Sequence, residues 1–272
     1  MNPAADYIET NRKAWNQKTD VHIKSAFYDN ENFLSGKSSL KSIELAMLGN
    51  IEGKNILHLQ CHFGQDSISM SRLGAAVTGI DLSDRAIQRA EELAAQTHAK
   101  TKFICSNIYD LPKHLDEPFD IVFTSYGAIT WLPDLDAWAG IISRYLKPNG
   151  KFIIVEFHPV VWMFDDEFDK VGYHYFNRGA IVDTETGTYA DRQAQLKQDY
   201  VSWNHSLGEI LNGLIKHDLE ISSFEEFDYS PYNCFKHTVE IEPGKYRISH
   251  LDNKIPMLYS ILAIKKNKLR ND

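Results

Sequence analysis

The stretch Asn55-Ile-Leu-His-Leu-Gln-Cys-His-Phe-Gly-Gln-Asp66, continued by Gly79-Ile-Asp-Leu82, decides the fold of this 272-residue chain. Its apolar run, residues 55–59, ends in a polar turn that contains a glycine, residues 60–64, and a helical pattern follows. A second apolar run then ends in Asp81. This order of strand, tight turn, helix, strand and acid is typical of the first half of a nucleotide-binding βαβ unit. In such a unit the first turn faces the ligand and the acid binds a ribose hydroxyl group.

Strand-like and helix-like segments continue to alternate beyond this unit. Further apolar runs end at Cys105, Thr124 and Phe157. A helical pattern capped by Ser83 precedes the first of these runs, and another, over residues 134–146, precedes the last. Strict alternation predicts a parallel sheet with right-handed crossovers. With two later strand-like segments, the sequence predicts an α/β fold: a Rossmann-like, seven-stranded, mostly parallel sheet with helices on both faces.

We expect the whole chain, residues 1–272, to form a single domain with four parts. Residues 1–50 are predicted to be a helical cap, and residues 51–158 the cofactor-binding half. Residues 159–203 are rich in aromatic side chains and are predicted to be a partly β-hairpin insertion after the fifth strand, capping the substrate. Residues 204–272 are predicted to hold a helix and strands six and seven.

Local signals give finer expectations outside the alternating core. A first helix is predicted over residues 4–20, and a later one from Ser38 or Ser39 to Leu48. Residues 183–187 resemble a turn, and residues 230–254 are predicted to be a long loop. Ser206 and Glu209 have the spacing of a capping box.

Composition limits the partners to expect. The net charge of −8 and the pI near 5.8 argue against a sequence-independent grip on nucleic acid, which needs a basic surface. The basic tail, which we expect to be a solvated terminus, contains Lys265, Lys266, Lys268 and Arg270. Three scattered cysteines, no secretory signal and no membrane-spanning apolar run favour a cytoplasmic protein. We therefore expect a small-molecule partner, and the oligomeric state, monomer or homodimer, stays open.

The turn after the first strand distinguishes two cofactor classes. A dinucleotide needs Gly-x-Gly-x-x-Gly, so that backbone N–H groups can approach its pyrophosphate. Only Gly64 is present here, because Gln60 and His62 occupy the other glycine positions and their side chains would crowd a pyrophosphate. S-adenosylmethionine (SAM) has no phosphate. It needs one close approach and an acid for its ribose, which Gly64 and Asp81 can provide.

Residues 51–158 resemble the class I SAM-dependent methyltransferase superfamily. The segment His58-Leu-Gln-Cys-His-Phe-Gly64 is similar to the unusual first motif of one subgroup. Asn11…Trp15-Asn16, Tyr189-Ala-Asp and Trp203-Asn-His-Ser-Leu-Gly208 are also similar to that subgroup, so the resemblance covers most of the chain. It implies a sheet whose last strand is antiparallel. It also implies an enzyme that transfers the methyl group of SAM to a small molecule and releases S-adenosylhomocysteine (SAH).

The resemblance also implies roles for individual residues. Asp81 would bind the ribose hydroxyls, Asn107 would lie near the adenine amine, and the backbone of Ile108 would meet the adenine ring. Ser125 would lie beside the methionine moiety. The full set implied to bind the cofactor is Gln60, His62, Gly64, Asp81, Leu82, Asn107, Ile108 and Ser125.

Residues at strand ends and in aromatic segments are candidates for catalysis and acceptor binding. Methyl transfer is an in-line displacement on an already activated carbon, so a base is needed only if the acceptor must lose a proton. Tyr126 and His158, which follow the fourth and fifth strands, are candidates for that base or for an orienting group. Candidate contacts to the acceptor are Tyr28, Trp203 and His205.

Other interpretations of the motifs stay open. His58-x-x-Cys61-His62 contains metal-ligand residue types, but no further ligand stands at zinc-like spacing, so we expect no metal. Tyr232-x-x-x-Lys236 matches the catalytic pair of some NAD(P)-dependent reductases, but it lies in a predicted loop. Because the first motif is unusual, a non-catalytic SAM-binding regulatory module is the main alternative to an enzyme. An NAD(P)-dependent oxidoreductase is less favoured.

Overall fold

The structure is a computed structural model that describes residues 6–267. Its strands are β1 (Asn55–Leu59), β2 (Ala76–Asp81), β3 (Lys102–Cys105), β4 (Phe119–Ser125), β5 (Leu146–Phe157), β6 (Ile181–Thr186), β7 (Lys197–Ser202), β8 (Leu219–Phe227), β9 (Thr238–Glu242), β10 (Lys245–Ile248) and β11 (Leu258–Lys265). Its α-helices are α1 (Tyr7–His22), α2 (Asn30–Leu34), α3 (Ser42–Leu48), α4 (Gln65–Arg72), α5 (Asp84–Thr97), α6 (Leu135–Tyr145) and α7 (Leu207–Lys216).

The central sheet has seven strands in the order β3-β2-β1-β4-β5-β11-β8. Strand β11 runs antiparallel to both of its neighbours, and the other pairs are parallel. The predicted Rossmann-like sheet with an antiparallel last strand is therefore confirmed. The strand order reverses between β1 and β4, and in open sheets of this kind ligands bind outside the carboxyl ends of the strands at such a point.

Two apolar layers hold the helices against the sheet. On one face, Leu57, Val122 and Ile154 pack with the buried sides of α6 and α7. On the other face, Ile56 and Phe123 pack beside α3 and α4. The inner strands are buried on both faces, which is why their sequences are apolar runs rather than alternating patterns.

Several local predictions are confirmed in detail. Ser83 caps α5 by accepting a hydrogen bond from the backbone N–H of Ala86 at 2.9 Å. Ser206 accepts from the backbone N–H of Glu209 at 3.2 Å at the start of α7. The insertion contains the predicted hairpin, formed by β6 and β7.

Three local predictions are wrong, each for a physical reason. Helix α3 begins at Ser42, because the Ser39 hydroxyl donates to Asp66 at 2.5 Å and does not cap the helix. Residues 183–186 belong to β6, and the chain turns only at Gly187, where φ is +73°. Residues 230–254 contain the hairpin β9–β10 in place of a featureless loop.

The ends of the chain qualify two further predictions. Lys265 is not a freely solvated residue, because its ammonium donates to the carbonyls of Ser143 and Leu146. Lys268, Arg270 and the first two residues of the predicted helix 4–20 lie outside the described residues. No helix within residues 6–267 is long and apolar enough to cross a membrane.

Candidate active site

The turn after β1 is held in an unusual backbone conformation. Gln60 and His62 have φ values of 55° and 50°, in the left-handed region that residues with side chains rarely adopt. Two hydrogen bonds offset the cost of this conformation. The Gln60 amide donates to the carbonyl of Ala128 at 2.6 Å, and the backbone N–H of His62 donates to Asp81 at 2.8 Å. Strained residues held in this way cluster at functional sites.

Gly64 ends the turn and begins α4, with φ at +79°. A Cβ atom added there would lie 2.6 Å from a ring carbon of Phe103 and 3.0 Å from the Cβ of Ala90. Packing against β3 and α5 therefore explains why this position is glycine. A contact between its backbone and a cofactor remains a prediction.

Asp81 lies at the end of β2 and faces the turn. Its two carboxylate oxygens each accept one backbone N–H, from His62 at 2.8 Å and from Ser83 at 2.9 Å. Burial raises the pKa of Asp81 to about 6, and these hydrogen bonds oppose the rise. Each carboxylate oxygen can accept more than one hydrogen bond, so the pair has capacity for a vicinal diol.

Two histidines meet above this turn. His22 Nδ1 of α1 lies 3.0 Å from His62 Nε2, a distance at which one ring must donate to the other. Burial lowers the pKa of His22 to about 2 and that of His62 to about 3, so both rings are neutral. Three buried atoms nearby have no hydrogen-bond partner: His22 Nε2, His62 Nδ1 and Gln60 Oε1. Buried polar atoms without partners are rare, and they point to a group that binds here.

Helix α1 and the insertion cover this edge of the sheet. Trp15 packs on His62 and on Trp131, with ring centroids 5.3 Å apart in both cases. The buried ammonium of Lys18 lies 2.7 Å from a carboxylate oxygen of Glu185 on β6. Asn11 exchanges two hydrogen bonds with the backbone of Val201 on β7, both 2.8 Å long. Helix α1 and the insertion hairpin therefore meet over one edge of the sheet.

The remaining predicted cofactor residues lie at the ends of β2, β3 and β4. Asn107 caps a short 3₁₀ helix, accepting from the backbone N–H of Tyr109 at 3.3 Å. The Ile108 side chain is in the main core, so only its backbone could face a ligand. The Leu82 carbonyl accepts from Arg12 at 3.4 Å, and the Ser125 hydroxyl donates to Asp66 at 3.3 Å.

A buried glutamate of β5, Glu156, organises the loop after β4. It is 1% exposed and accepts four backbone N–H groups, those of Gly127, Ala128, Ile129 and Phe157. Ala128 in turn accepts the Gln60 amide, so Glu156 indirectly fixes the orientation of Gln60. Sequence reasoning missed this residue, although an acid inside a strand buried on both faces was a signal.

A second buried glutamate lies on the opposite side of that loop. Glu44 of α3 is 0% exposed, and neither of its oxygens accepts a hydrogen bond of normal geometry. The hydroxyl of Tyr126, a residue with φ at 37°, is also buried without a partner. We call the group formed by these two residues and their charged and aromatic neighbours the Glu44 cluster; its members are Lys41, Glu44, Asp66, Tyr126 and Tyr232.

The two predicted catalytic candidates lie on different faces of the sheet. Tyr126 packs on Phe157 on the α3 side, with ring centroids 5.8 Å apart. His158 packs on Tyr259, which belongs to the core under α6 and α7. Its Nδ1 accepts the backbone N–H of Val160 at 3.2 Å, and its Nε2 lies 2.9 Å from Glu226. These contacts give His158 a structural role and separate it from Tyr126.

The three residues predicted to contact the acceptor also lie in different surroundings. The Tyr28 and Tyr189 hydroxyls are 2.5 Å apart, and Tyr28 stacks on His22 at the covered edge. The ring of Trp203 packs on Tyr7 of α1, at 5.1 Å. His205 uses both ring nitrogens elsewhere, at 2.8 Å from the Leu132 carbonyl and 3.0 Å from Glu209. Of the three candidates, these contacts place Tyr28 beside the turn after β1.

The residues of the two alternative motifs have other neighbours. His58 lies 2.8 Å from the Ser67 hydroxyl, and residues 6–267 contain no group of three His, Cys, Asp or Glu side chains placed to hold a metal ion. Tyr232 faces Tyr126, whereas Lys236 lies 2.5 Å from Glu167. The reductase-like pair therefore does not form, yet Tyr232 itself belongs to the Glu44 cluster.

Comparisons with known proteins agree with this architecture. A family model described as a methyltransferase domain matches residues 51–236. An uncharacterized methyltransferase of Synechocystis is 31% identical over 133 residues, which is 48% of this chain and 60% of that protein. A ubiquinone biosynthesis O-methyltransferase of Idiomarina loihiensis is 26% identical over 133 residues, 47% of this chain and 54% of that protein. The matches thus span little more than half of these relatives.

The fold also matches solved structures. A putative S-adenosylmethionine-dependent methyltransferase of Listeria monocytogenes superposes with a TM-score of 0.58 and 22% identity, over 83% of this chain and 97% of that one. At this identity the likeness shows the fold alone. Together with the family match over most of the chain, it shows that this protein belongs to the methyltransferase domain family and has the class I SAM-dependent methyltransferase fold.

Proposed function

We propose that this protein binds SAM at the carboxyl edge of β1, β2 and β4 and transfers its methyl group to a small molecule. The observation that carries the proposal is the set of acceptors around the first turn. Asp81 has spare acceptor capacity there, and Gln60 Oε1 and His62 Nδ1 are buried without partners.

These residues fit the parts of SAM. The vicinal hydroxyls of its ribose match the two oxygens of Asp81, and its ammonium group matches the unpartnered Gln60 Oε1. His62 Nδ1, Asn107 and the backbone of Ile108 are left for the adenosine moiety, Leu82 flanks the ribose, and Ser125 lies toward the methionine end. We keep all eight predicted cofactor residues in this proposal, with Gly64 contributing through its backbone.

The same turn disfavours a dinucleotide. Gln60 and His62 place side chains where a pyrophosphate needs bare backbone, and rings of Trp15, Tyr28 and Phe63 pack on the His62 ring. These rings would have to move away before two linked phosphates could enter. This crowding argues for a nucleoside ligand without phosphate.

The residues of the chain would mainly position the reactants and exclude water. SAM supplies an activated methyl group, so alignment and desolvation account for most of the barrier reduction. Trp15 and Trp131, together with the ion pair of Lys18 and Glu185, hold the cap over the edge. Glu156 holds the loop after β4, which carries Tyr126 toward the acceptor side.

The acceptor is expected to be a free small molecule. The net charge of −8 disfavours a nucleic-acid acceptor, and a relative is named for ubiquinone biosynthesis. In this proposal, residues 1–50 and the insertion, residues 159–203, close over the acceptor. Three free cysteines support a cytoplasmic setting, with the protein acting as a monomer or homodimer.

Isothermal titration calorimetry with SAM, SAH and NADH tests the cofactor. We expect SAM and SAH to bind and NADH not to bind. Asp81→Asn should weaken SAH binding about 100-fold, because charge-assisted hydrogen bonds to the ribose are lost. The matched control is Asp116→Asn, whose exposed carboxylate lies on the surface. NADH binding without SAH binding would overturn the proposal.

Turnover over a panel of small acceptors separates an enzyme from a regulatory module. The assay follows SAH release in the presence of each acceptor. An enzyme gives SAH with at least one acceptor, in proportion to the methylated product. Tight SAM binding without turnover on any acceptor would favour the non-catalytic module instead.

A further inference from the structure

One buried polar group is left unused once the cofactor residues are assigned. Glu44 lies on the third residue of α3, is 0% exposed, and offers two oxygens without partners. The Tyr126 hydroxyl, also unpartnered, comes from the loop after β4. The hydroxyl faces the carboxylate, yet neither group makes a hydrogen bond of normal geometry. A buried carboxylate and a buried phenol left in this state indicate a ligand that both can bind.

Aromatic rings surround these atoms. Tyr126 packs edge-on against Tyr232, with ring centroids 5.0 Å apart, and Phe27 stacks on Tyr232 at 5.5 Å. Phe27 also packs on Tyr189 at 5.4 Å. Sites for small molecules combine such apolar walls with a few placed polar groups. These rings would supply the apolar walls for a ring-shaped acceptor.

The charges around Glu44 make it a proton acceptor near neutral pH. Burial raises its pKa to about 7, and the negative charge of Asp66 on α4 adds to the rise. Tyr126 and the backbone N–H groups of Lys41 and Glu44 face the carboxylate and lower the pKa by less. Lys41 lies beside both acids. The negative charge of Glu44 also raises the pKa of Tyr229 and of Tyr232.

The local charge balance distinguishes between two kinds of acceptor. The Lys41 ammonium, 4.7 Å from the centre of the Tyr232 ring, already provides a cation for Glu44 and Asp66. When Glu44 is ionised, the two acids leave one negative charge after Lys41, but an ammonium that pairs with this charge has no lone pair with which to attack the methyl carbon. A neutral hydroxyl fits better, because it can donate to Glu44 and accept from Tyr126 at once.

We propose that Glu44 and Tyr126 bind the acceptor through a hydroxyl group on an aromatic ring, and that Glu44 takes the proton of that hydroxyl. This inference rests on the proposed function and names its substrate class. As the hydroxyl oxygen bonds to the methyl carbon, its proton moves to a Glu44 oxygen. The bond from that carbon to sulfur breaks, and the electron pair stays on sulfur. Glu44 then returns the proton to solvent.

The binding test uses catechol as the probe, titrated by calorimetry into the protein saturated with SAH. Wild type should bind catechol, and Glu44→Gln should weaken that binding at least tenfold, whereas SAH affinity should change less than twofold. Tyr126→Phe is a second variant with an intact carboxylate, and it should weaken catechol binding less. Glu226→Gln, beside His158 and away from the Glu44 cluster, is the matched control and should bind both normally.

The outcomes separate this inference from the proposed function. Failure of wild type to bind SAH overturns the proposed function and this inference with it. Normal SAH binding without catechol binding, or preferential binding of benzylamine, overturns the inference alone. Equal loss of SAH affinity in Glu44→Gln would assign the Glu44 cluster to the cofactor and also overturn it.

A pH profile gives an independent readout of the proton transfer. With a phenolic acceptor that turns over, kcat of wild type should rise through a limb near pH 7. Glu44→Gln should lose that limb and lower kcat about 100-fold, the size expected for removal of a general base. An unchanged limb in Glu44→Gln would contradict the assignment.

Discussion

Glu156 and Glu44 are both buried glutamates beside the loop after β4, yet their surroundings differ in kind. Glu156 accepts four backbone N–H groups, and Glu44 accepts none of normal geometry. Burial raises the pKa of both carboxyls, but only around Glu156 do hydrogen bonds complete the coordination of the oxygens. A satisfied buried acid therefore holds the loop, whereas an unsatisfied one is available for chemistry.

The largest expected effect follows from removal of the satisfied acid. Glu156→Gln replaces an acceptor oxygen by an NH₂ group that faces backbone donors, so we expect unfolding to become easier by about 4 kcal/mol. Urea denaturation measures this change. Glu226→Gln, at a half-exposed position, should cost less than about 1 kcal/mol. Equal stability of the two variants would remove the distinction between Glu156 and an ordinary surface acid.

The second prediction concerns the unsatisfied acid and pH. The folded pKa of Glu44, about 7, lies above the usual glutamate value of 4.5, so the folded state holds a proton that the unfolded state releases. This group therefore costs stability as pH rises from about 4.5 to about 7, by about 3 kcal/mol in total. Glu44→Gln cannot ionise and avoids that loss.

The difference in unfolding free energy between Glu44→Gln and wild type isolates this contribution from other groups. We expect the difference to grow in favour of the variant from about pH 4.5 to about pH 7 and to level off above that. Asp81, whose pKa is also raised, titrates in both proteins and cancels. A difference that is flat with pH would show that Glu44 ionises as an exposed glutamate does.

A smaller effect is expected for a satisfied polar group outside the loop. Asn11→Ala removes two hydrogen bonds to Val201 and leaves its buried backbone groups unpartnered, at a cost of about 2 kcal/mol. Because α1 covers the first turn, SAH affinity should fall as well. Gln17→Ala, exposed on the same helix, is the control and should leave both thermal stability and SAH affinity unchanged.

The smallest effect is expected at His158, which the sequence suggested as a base. Its Nδ1 accepts the backbone N–H of Val160, its Nε2 lies 2.9 Å from a carboxylate oxygen of Glu226, and the ring lies on the face away from Tyr126. His158→Gln should therefore change kcat less than threefold, measured with any acceptor that turns over. A loss as large as that in Glu44→Gln would return His158 to the catalytic role.

The sheet was predictable from the sequence because its signals are local. Apolar runs, Ser83 as a cap and Asp81 at a strand end fix the elements and their order without knowledge of the fold. The prediction failed where a tertiary contact overrides a local signal. Ser39 bonds to Asp66 rather than capping α3, and this contact joins residues far apart in sequence.

The candidate site was only half predictable for the same reason. The turn after β1 is one continuous segment, so its motif could be recognised in the sequence. The Glu44 cluster instead joins α3, α4, the loop after β4 and the segment after β8, and no spacing rule connects these. A signal did exist: Glu44 lies next to Ile43 on the buried side of an otherwise apolar helix.

We assign the buried polar atoms of the turn after β1 to the cofactor and those of Glu44 to the acceptor. A crystal structure of the complex with SAH would test this assignment most directly. We predict hydrogen bonds from the ribose hydroxyls to Asp81 and a cofactor atom on Gln60 Oε1, with both Glu44 oxygens out of contact with SAH. SAH seated with its amino-acid end on Glu44, or an Asp81 that touches no ribose hydroxyl, would contradict the account.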